Sequence, residues 1–160
     1  VFLEHIRLDA SKEQQQFYFD KVLQGERFGN AFSEKGSKNV AELTTRIEFD
    51  LDGNGIINGQ KFFATGALLA HRIPVVALDH QGRPFAALVP QHTSGLKIIN
   101  DWSGFGQRTT VSGSVLLDNV QVEAQYIVPI YQAFERPTAA GAISQFIQAA
   151  VDAGIALKYS

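Results

Sequence analysis

Two short segments gather the side chains most able to do chemistry. The first is Arg27-Phe28-Gly29-Asn30-Ala31-Phe32-Ser33-Glu34-Lys35-Gly36-Ser37-Lys38-Asn39, which packs hydroxyls, amides and flexible glycines into one stretch. The second is Asn58-Gly59-Gln60-Lys61-Phe62-Phe63-Ala64-Thr65-Gly66-Ala67, where aromatics and a hydroxyl are followed by a glycine. Together they offer hydrogen-bond donors beside apolar surface, the chemistry of holding a ligand. Residue types alone leave a plainer reading open, in which two polar turns flank an aromatic core strand.

Other chemistries find less support. With no cysteine, disulfides, thiolate nucleophiles and Cys-ligated zinc are excluded. Asp50-Leu51-Asp52-Gly53-Asn54-Gly55 imitates the opening of a calcium loop, but the twelfth position, where a bidentate glutamate belongs, is Lys61. A Gly/Asn hairpin turn is the better reading. His5, His71, His80 and His92 form no ligand pattern on one helix, so no metal site is expected and they read as solvated or supporting side chains. Gly104-Phe105-Gly106 lacks the third glycine of a dinucleotide loop, and no Gly-x-Ser-x-Gly elbow occurs. No side chain stands out as a proton-transfer residue.

Composition bounds the rest. The 160 residues suit one domain with short appendages. At 45% hydrophobic and 19% charged the chain is too apolar for disorder. A net charge of −2 argues against nucleic acid as partner. No apolar run reaches the ~20 residues that span a bilayer, so no membrane is expected. Lack of cysteine fits a reducing cytoplasm. Methionine is absent throughout, which reads as a piece of a longer protein.

These segments need elements to position them. Ser11 is a candidate N-cap for a helix through Leu23, with Gly25 as its stop. From about Arg27 to Val128 the pattern reads as strands: 45–51, 55–58, 61–65, 73–78, 85–90, 96–100, 111–116 and 120–122. Turn residues separate them at Asp52-Gly53-Asn54-Gly55, Asn58-Gly59, His80-Gln81-Gly82-Arg83-Pro84, Thr93-Ser94-Gly95 and Asp118-Asn119. Many short strands at near-even spacing predict a mainly β fold, an antiparallel barrel or sandwich. Ala139–Tyr159 has helical spacing with a broad apolar face that calls for a partner.

The order of these pieces resembles the middle of the acyl-CoA dehydrogenase superfamily of flavoenzymes. That family has a helical N-terminal domain, a β-barrel and a C-terminal helical bundle. Its motifs run x-Thr-Glu-Pro-Gly-x-Gly-Ser-Asp, Leu-Asn-Gly-x-Lys-x-Trp-Ile-Thr-Asn, a Pro-Gly turn, Gly-x-Arg and Val-x-Phe-x-x-Val-x-Val. Phe32-Ser33-Glu34, Ile57-Asn58-Gly59-Gln60-Lys61-Phe62-Phe63-Ala64-Thr65-Gly66, Ser94-Gly95-Leu96, Gly106-Gln107-Arg108-Thr109 and Val115-Leu116-Leu117-Asp118-Asn119-Val120-Gln121-Val122 meet them in the same order. The departures are Lys35 for the proline, Lys38 for the acidic residue and Phe63 for the tryptophan. The wording Phe-Gly-Asn-Ala-x-Ser-Glu resembles the branch of sulfur-acquisition oxidoreductases and dibenzothiophene-type monooxygenases, which use reduced FMN and oxygen.

The resemblance implies an antiparallel β-barrel with flanking helices. Residues 1–26 would end an N-terminal helical domain, 27–130 would form the barrel, and 131–160 would begin a C-terminal helical domain. It implies a flavin, FMN before FAD, held by Asn30, Phe32, Ser33, Phe63 and Thr65. Ser33 would meet the pyrimidine edge, Thr65 would approach N5 and Phe63 would line the ring; Arg108 would face the flavin phosphate or stand as an exposed structural side chain. A small organosulfur substrate, a separate flavin reductase and a homo-oligomer, usually a tetramer, follow as partners. FAD-dependent acyl-CoA oxidation and a non-catalytic β-barrel interaction module are the alternatives.

Overall fold

The fold is a computed structural model describing residues 2–135, 137 and 139–159; Val1, Arg136, Thr138 and Ser160 lie outside the described residues. Its elements are α1 (Phe2–Asp9), α2 (Lys12–Leu23), β1 (Arg46–Phe49), β2 (Gly55–Ala64), β3 (Arg72–Leu78), β4 (Pro84–Pro90), β5 (Leu96–Ile99), β6 (Gly113–Val122), β7 (Ile127–Val128) and α3 (Ala140–Tyr159). Mainly β structure with flanking helices is therefore the architecture.

Helix α2 begins as its sequence requires. Ser11 Oγ accepts from the Gln14 amide at 3.2 Å, and Gln14 Oε1 accepts from the Ser11 amide at 2.9 Å, a capping box that satisfies two orphan donors. Gln14 Nε2 also donates to Gln125 O and Ile127 O, each at 3.0 Å, so the residue that starts the helix docks it on β7. Helix α1 was not expected. Its apolar residues Phe2, Leu3 and Ile6 fill too short a stretch to establish a helical period, and Ile6 alone among them is fully buried.

The strands form one seven-stranded sheet in the order β5-β6-β2-β1-β3-β4-β7. The expected barrel is not closed: β5 and β7 are the two edges, and they are only four and two residues long. Neither is the sheet wholly antiparallel. Strands β1 and β3 run parallel, in register at Arg46 and Leu78. The chain from Phe28 to Ala31 also lies parallel to β3, bridging Arg72 and Val75.

Two expected turns proved to be bulges. Asn58-Gly59 and Asp118-Asn119 lie inside β2 and β6, and the register shifts between Ile57 and Gly59. The Asn119 amide donates to Asn58 Oδ1 at 2.8 Å, so the two asparagines close the gap between the strands. Gly59 is required there: a Cβ would lie 2.8 Å from the Thr45 Cα. By contrast, Asp50–Gly55 is a true β1–β2 turn. Asp50 Oδ1 accepts from the amides of Asp52 and Asn54, each at 2.9 Å.

Strand β3 alternates between two cores. Ile73, Val75 and Ala77 join Ile47, Ile57, Val89 and Val115 on one face. Val76 and Leu78 join Ile6, Tyr18, Leu88 and Ile130 on the other, beneath α1 and α2. Burial on both faces explains the unbroken apolar run of this strand. Helix α3 instead leaves Phe146 76% exposed and Ile147 and Ile155 55% exposed. No helix among the described residues is long and apolar enough to cross a membrane.

Candidate functional site

The first chemistry-bearing segment is laid along β3 by its own backbone. The Gly29 amide donates to Arg72 O at 2.9 Å, the Ala31 amide to Pro74 O at 3.0 Å, and the Val76 amide to Ala31 O at 3.2 Å. Gly29 also packs closely on the turn that precedes β3, where a Cβ would lie 3.1 Å from the Ala67 Cα. Two residues later the segment leaves β3 for β2, where the Phe62 amide donates to Ser33 O at 2.8 Å. Ser33 is thereby held between the two strands with its side chain exposed.

Glu34 fixes that position. Lys61 Nζ lies 2.7 Å from Glu34 Oε1 and also donates to Phe32 O at 3.2 Å. The same carboxylate accepts from the amide and hydroxyl of Thr44, at 2.6 and 2.7 Å, and from those of Thr45, at 3.0 and 2.6 Å. The Glu34 and Lys61 side chains are 4% and 0% exposed. Burial alone would raise the Glu34 pKa, but the bonds from Lys61, Thr45 and Thr44 outweigh it and hold the carboxyl at about 2.

Thr65 follows the end of β2, before Gly66, whose φ is +74°. Thr65 Oγ1 donates to Phe63 O and accepts from Ser112 Oγ, both at the long distance of 3.4 Å. Ser112 is better engaged with Thr110, 2.8 Å away. Behind them, Gln107 and Val111 hold left-handed backbone at φ 54° and 48°. For a β-branched residue this is strained, and such strain tends to collect at functional sites.

Asn30, Phe32, Ser33 and Thr65 line one cavity of about 690 Å³. Phe28 and Ile130 contribute apolar wall, and α1 reaches the same space through Phe2 and His5. Phe63 is not brought to it. With φ at +55° and 58% exposure, Phe63 faces a second cavity of about 320 Å³, its ring edge-on to Trp102 at 6.1 Å. Lys35 lines that second space, with its ammonium 4.4 Å from the Phe62 ring centre. Asp101 pins the wall by accepting from the Ser114 amide and hydroxyl at 2.8 and 2.7 Å. Arg108 is exposed in a short 3-10 turn.

Three features escaped sequence reasoning. The Glu34–Lys61 pair was signalled by a lysine falling on an inward-facing position of a strand, which demands a carboxylate. Trp102 sits in a loop with no periodicity to place it. His5 does pair at i, i+4 with an acid, Asp9, at 3.0 Å, but the pair is visible only once α1 is known to be a helix. Among the described residues no group of three or more His, Asp or Glu could hold a metal.

No family model matches the chain. It is 34% identical over 164 residues to a dibenzothiophene monooxygenase of Rhodococcus erythropolis, covering 94% of this chain and 39% of that protein. It is 29% identical over 126 residues to the "probable FMNH2-dependent monooxygenase SfnC" of Pseudomonas putida, covering 77% of this chain and 30% of that protein. Among solved structures, FMN-bound TdsC from Paenibacillus sp. A11-2 superposes with a TM-score of 0.70 at 32% identity, over 79% of this chain and 34% of that one. A glutaryl-CoA dehydrogenase from Mycobacterium smegmatis in complex with FADH2 gives 0.72 at 25% identity, over 81% of this chain and 34% of that one. The chain thus spans well under half the length of the proteins it matches. The shared β scaffold and a match that takes in 94% of this chain and 39% of the Rhodococcus enzyme carry one likeness: over most of its length the chain is similar to part of the acyl-CoA dehydrogenase superfamily, with sulfur-compound monooxygenases among the proteins it matches.

Proposed function

We propose that this chain is the flavin-holding part of a reduced-FMN-dependent monooxygenase acting on a small organosulfur compound. The observation that carries the reading is the convergence of Ser33 and Thr65, from two distant segments, on one cavity with Asn30 and Phe32. The donor set suits a flavin. Two hydroxyls and an amide offer hydrogen bonds to an acceptor-rich ring edge, and Phe28 and Phe32 offer apolar surface for its faces. A volume of about 690 Å³ lies within the range of small-molecule sites.

In this reading Ser33 donates to the pyrimidine edge, held in place by the bond from the Phe62 amide to its carbonyl. Thr65, whose hydroxyl bonds within the protein are long, is ready to exchange them for a ligand. Asn30 adds an amide, and Phe32 keeps water from the ring. Phe63 acts with Trp102 from the neighbouring cavity as an aromatic wall. Bound reduced flavin would supply the two electrons that let dioxygen deliver one oxygen atom to sulfur.

The domain division belongs to the same proposal: 1–26 and 131–160 are parts of helical domains on either side of 27–130. The exposed apolar residues of α3, Phe146, Ile147 and Ile155, favour continuation into a bundle and a homo-oligomer. A separate flavin reductase is the expected partner, and the cytoplasm the expected compartment. A two-component assay tests the reading. Full-length protein supplied with reduced FMN and oxygen should convert dibenzothiophene to its sulfoxide. Acyl-CoA-dependent dye reduction without sulfoxide formation would contradict it.

A further inference from the structure

The described lining of the main cavity contains two ionisable side chains, His5 and Glu26. Glu26 is committed elsewhere. It lies 3.0 Å from Arg72 Nε and 3.3 Å from Lys21 Nζ. His5 is placed differently. One helical turn before Asp9 on α1, its Nδ1 is 3.0 Å from Asp9 Oδ2. The Asp9 side chain is fully buried, at 0%, and the His5 ring is 16% exposed. A carboxylate at Nδ1 accepts the hydrogen on that nitrogen and so orients the ring. Nε2 is then the nitrogen through which the ring can pass a proton.

We propose that His5, oriented by Asp9, is the proton-transfer residue of the monooxygenation, giving a proton from Nε2 to the oxygen atom that leaves as water. The inference rests on the flavin reading above. The overall conversion is a thioether, dioxygen and reduced flavin to a sulfoxide, water and oxidised flavin. Dioxygen takes four electrons, two from sulfur and two from reduced flavin. One oxygen atom bonds to sulfur, and the other leaves with the two hydrogens that the flavin gives up. His5 delivers one of these protons and regains one released by the flavin, ending unchanged, while Asp9 acts as the positioning residue.

Two measurements on the full-length protein test this. In the FMN-free wild type, two-bond 1H–15N spectra of the neutral imidazole should place the hydrogen of His5 on Nδ1, and Asp9→Asn should lose that preference. A wild-type ring with its hydrogen on Nε2 overturns the proposal whether or not any variant folds. With reduced FMN, oxygen and dibenzothiophene, His5→Gln should keep its FMN affinity within about twofold. It should yield roughly tenfold or more less sulfoxide per reduced FMN consumed, the balance appearing as hydrogen peroxide. An unchanged yield overturns the role of His5 alone. A wild type that neither binds FMN nor forms sulfoxide overturns the flavin reading itself, so the two failures are distinguishable.

Discussion

Glu34 and Lys61 form a buried ion pair, 2.7 Å from carboxylate to ammonium, that joins the segment bearing Ser33 to the strand leading to Thr65. Each partner compensates a charge that the interior would otherwise reject. Removing one leaves the other uncompensated and should cost ~3–5 kcal/mol, whereas replacing both by apolar groups of similar size is often close to neutral. Glu34→Gln and Lys61→Met should therefore each lower the urea midpoint sharply, with the double variant Glu34→Leu/Lys61→Met recovering part of the loss. Equal midpoints for the wild type and both single variants would show that the pair does not hold the two segments.

The same carboxylate predicts a pH dependence. Its pKa is about 2 in the folded chain, against ~4.3 for an unfolded glutamate. The unfolded state binds the proton first, so the contribution is fully present above the unfolded value. It is lost as pH falls from about 4.5 towards 2, amounting to ~3 kcal/mol at most. Denaturation series at pH 5, 4 and 3 should show a steeper decline in the wild type than in Glu34→Gln. Parallel declines would mean that other carboxylates carry the acid sensitivity.

Gly59 links the bulge to this network. A methyl group at position 59 would lie 2.8 Å from the Thr45 Cα and 2.5 Å from Thr45 Oγ1, and Thr45 serves Glu34 through both its amide and its hydroxyl. Gly59→Ala should destabilise the domain by ~1–3 kcal/mol, because backbone cannot yield as a flexible side chain can. Guanidinium denaturation measures it. A change below ~0.5 kcal/mol would place the strands further apart than described.

What could be read from the sequence divides by range. Ser11 announced α2 because its cap partner, Gln14, is three residues away. Most strand positions were legible from alternation and turn residues. Asn58-Gly59 and Asp118-Asn119 were misread for the same local reason. Each pair looks like a turn, but they face one another across β2 and β6, and only the distant partner shows that the strands continue. Barrel closure was misread because nothing local reports that the short strands β5 and β7 end as the two edges of an open sheet. At the candidate site, the family's motif order pointed to Asn30, Phe32, Ser33 and Thr65, and these four line one cavity. Phe63 lines the neighbouring cavity instead, on left-handed backbone that alternation along a strand cannot foresee.

The central claim is that Ser33 and Thr65 hold one flavin ring between them. Titrating FMN into full-length wild type, Ser33→Ala and Thr65→Val, followed by flavin fluorescence, tests it most directly. Each lost hydroxyl should remove ~0.5–1.5 kcal/mol of binding, up to roughly tenfold in affinity, with little change in melting temperature. Thr65→Val should in addition release more peroxide per product formed. Unchanged affinity in both variants, together with lowered melting temperatures, would contradict the account and make both hydroxyls supports of the fold.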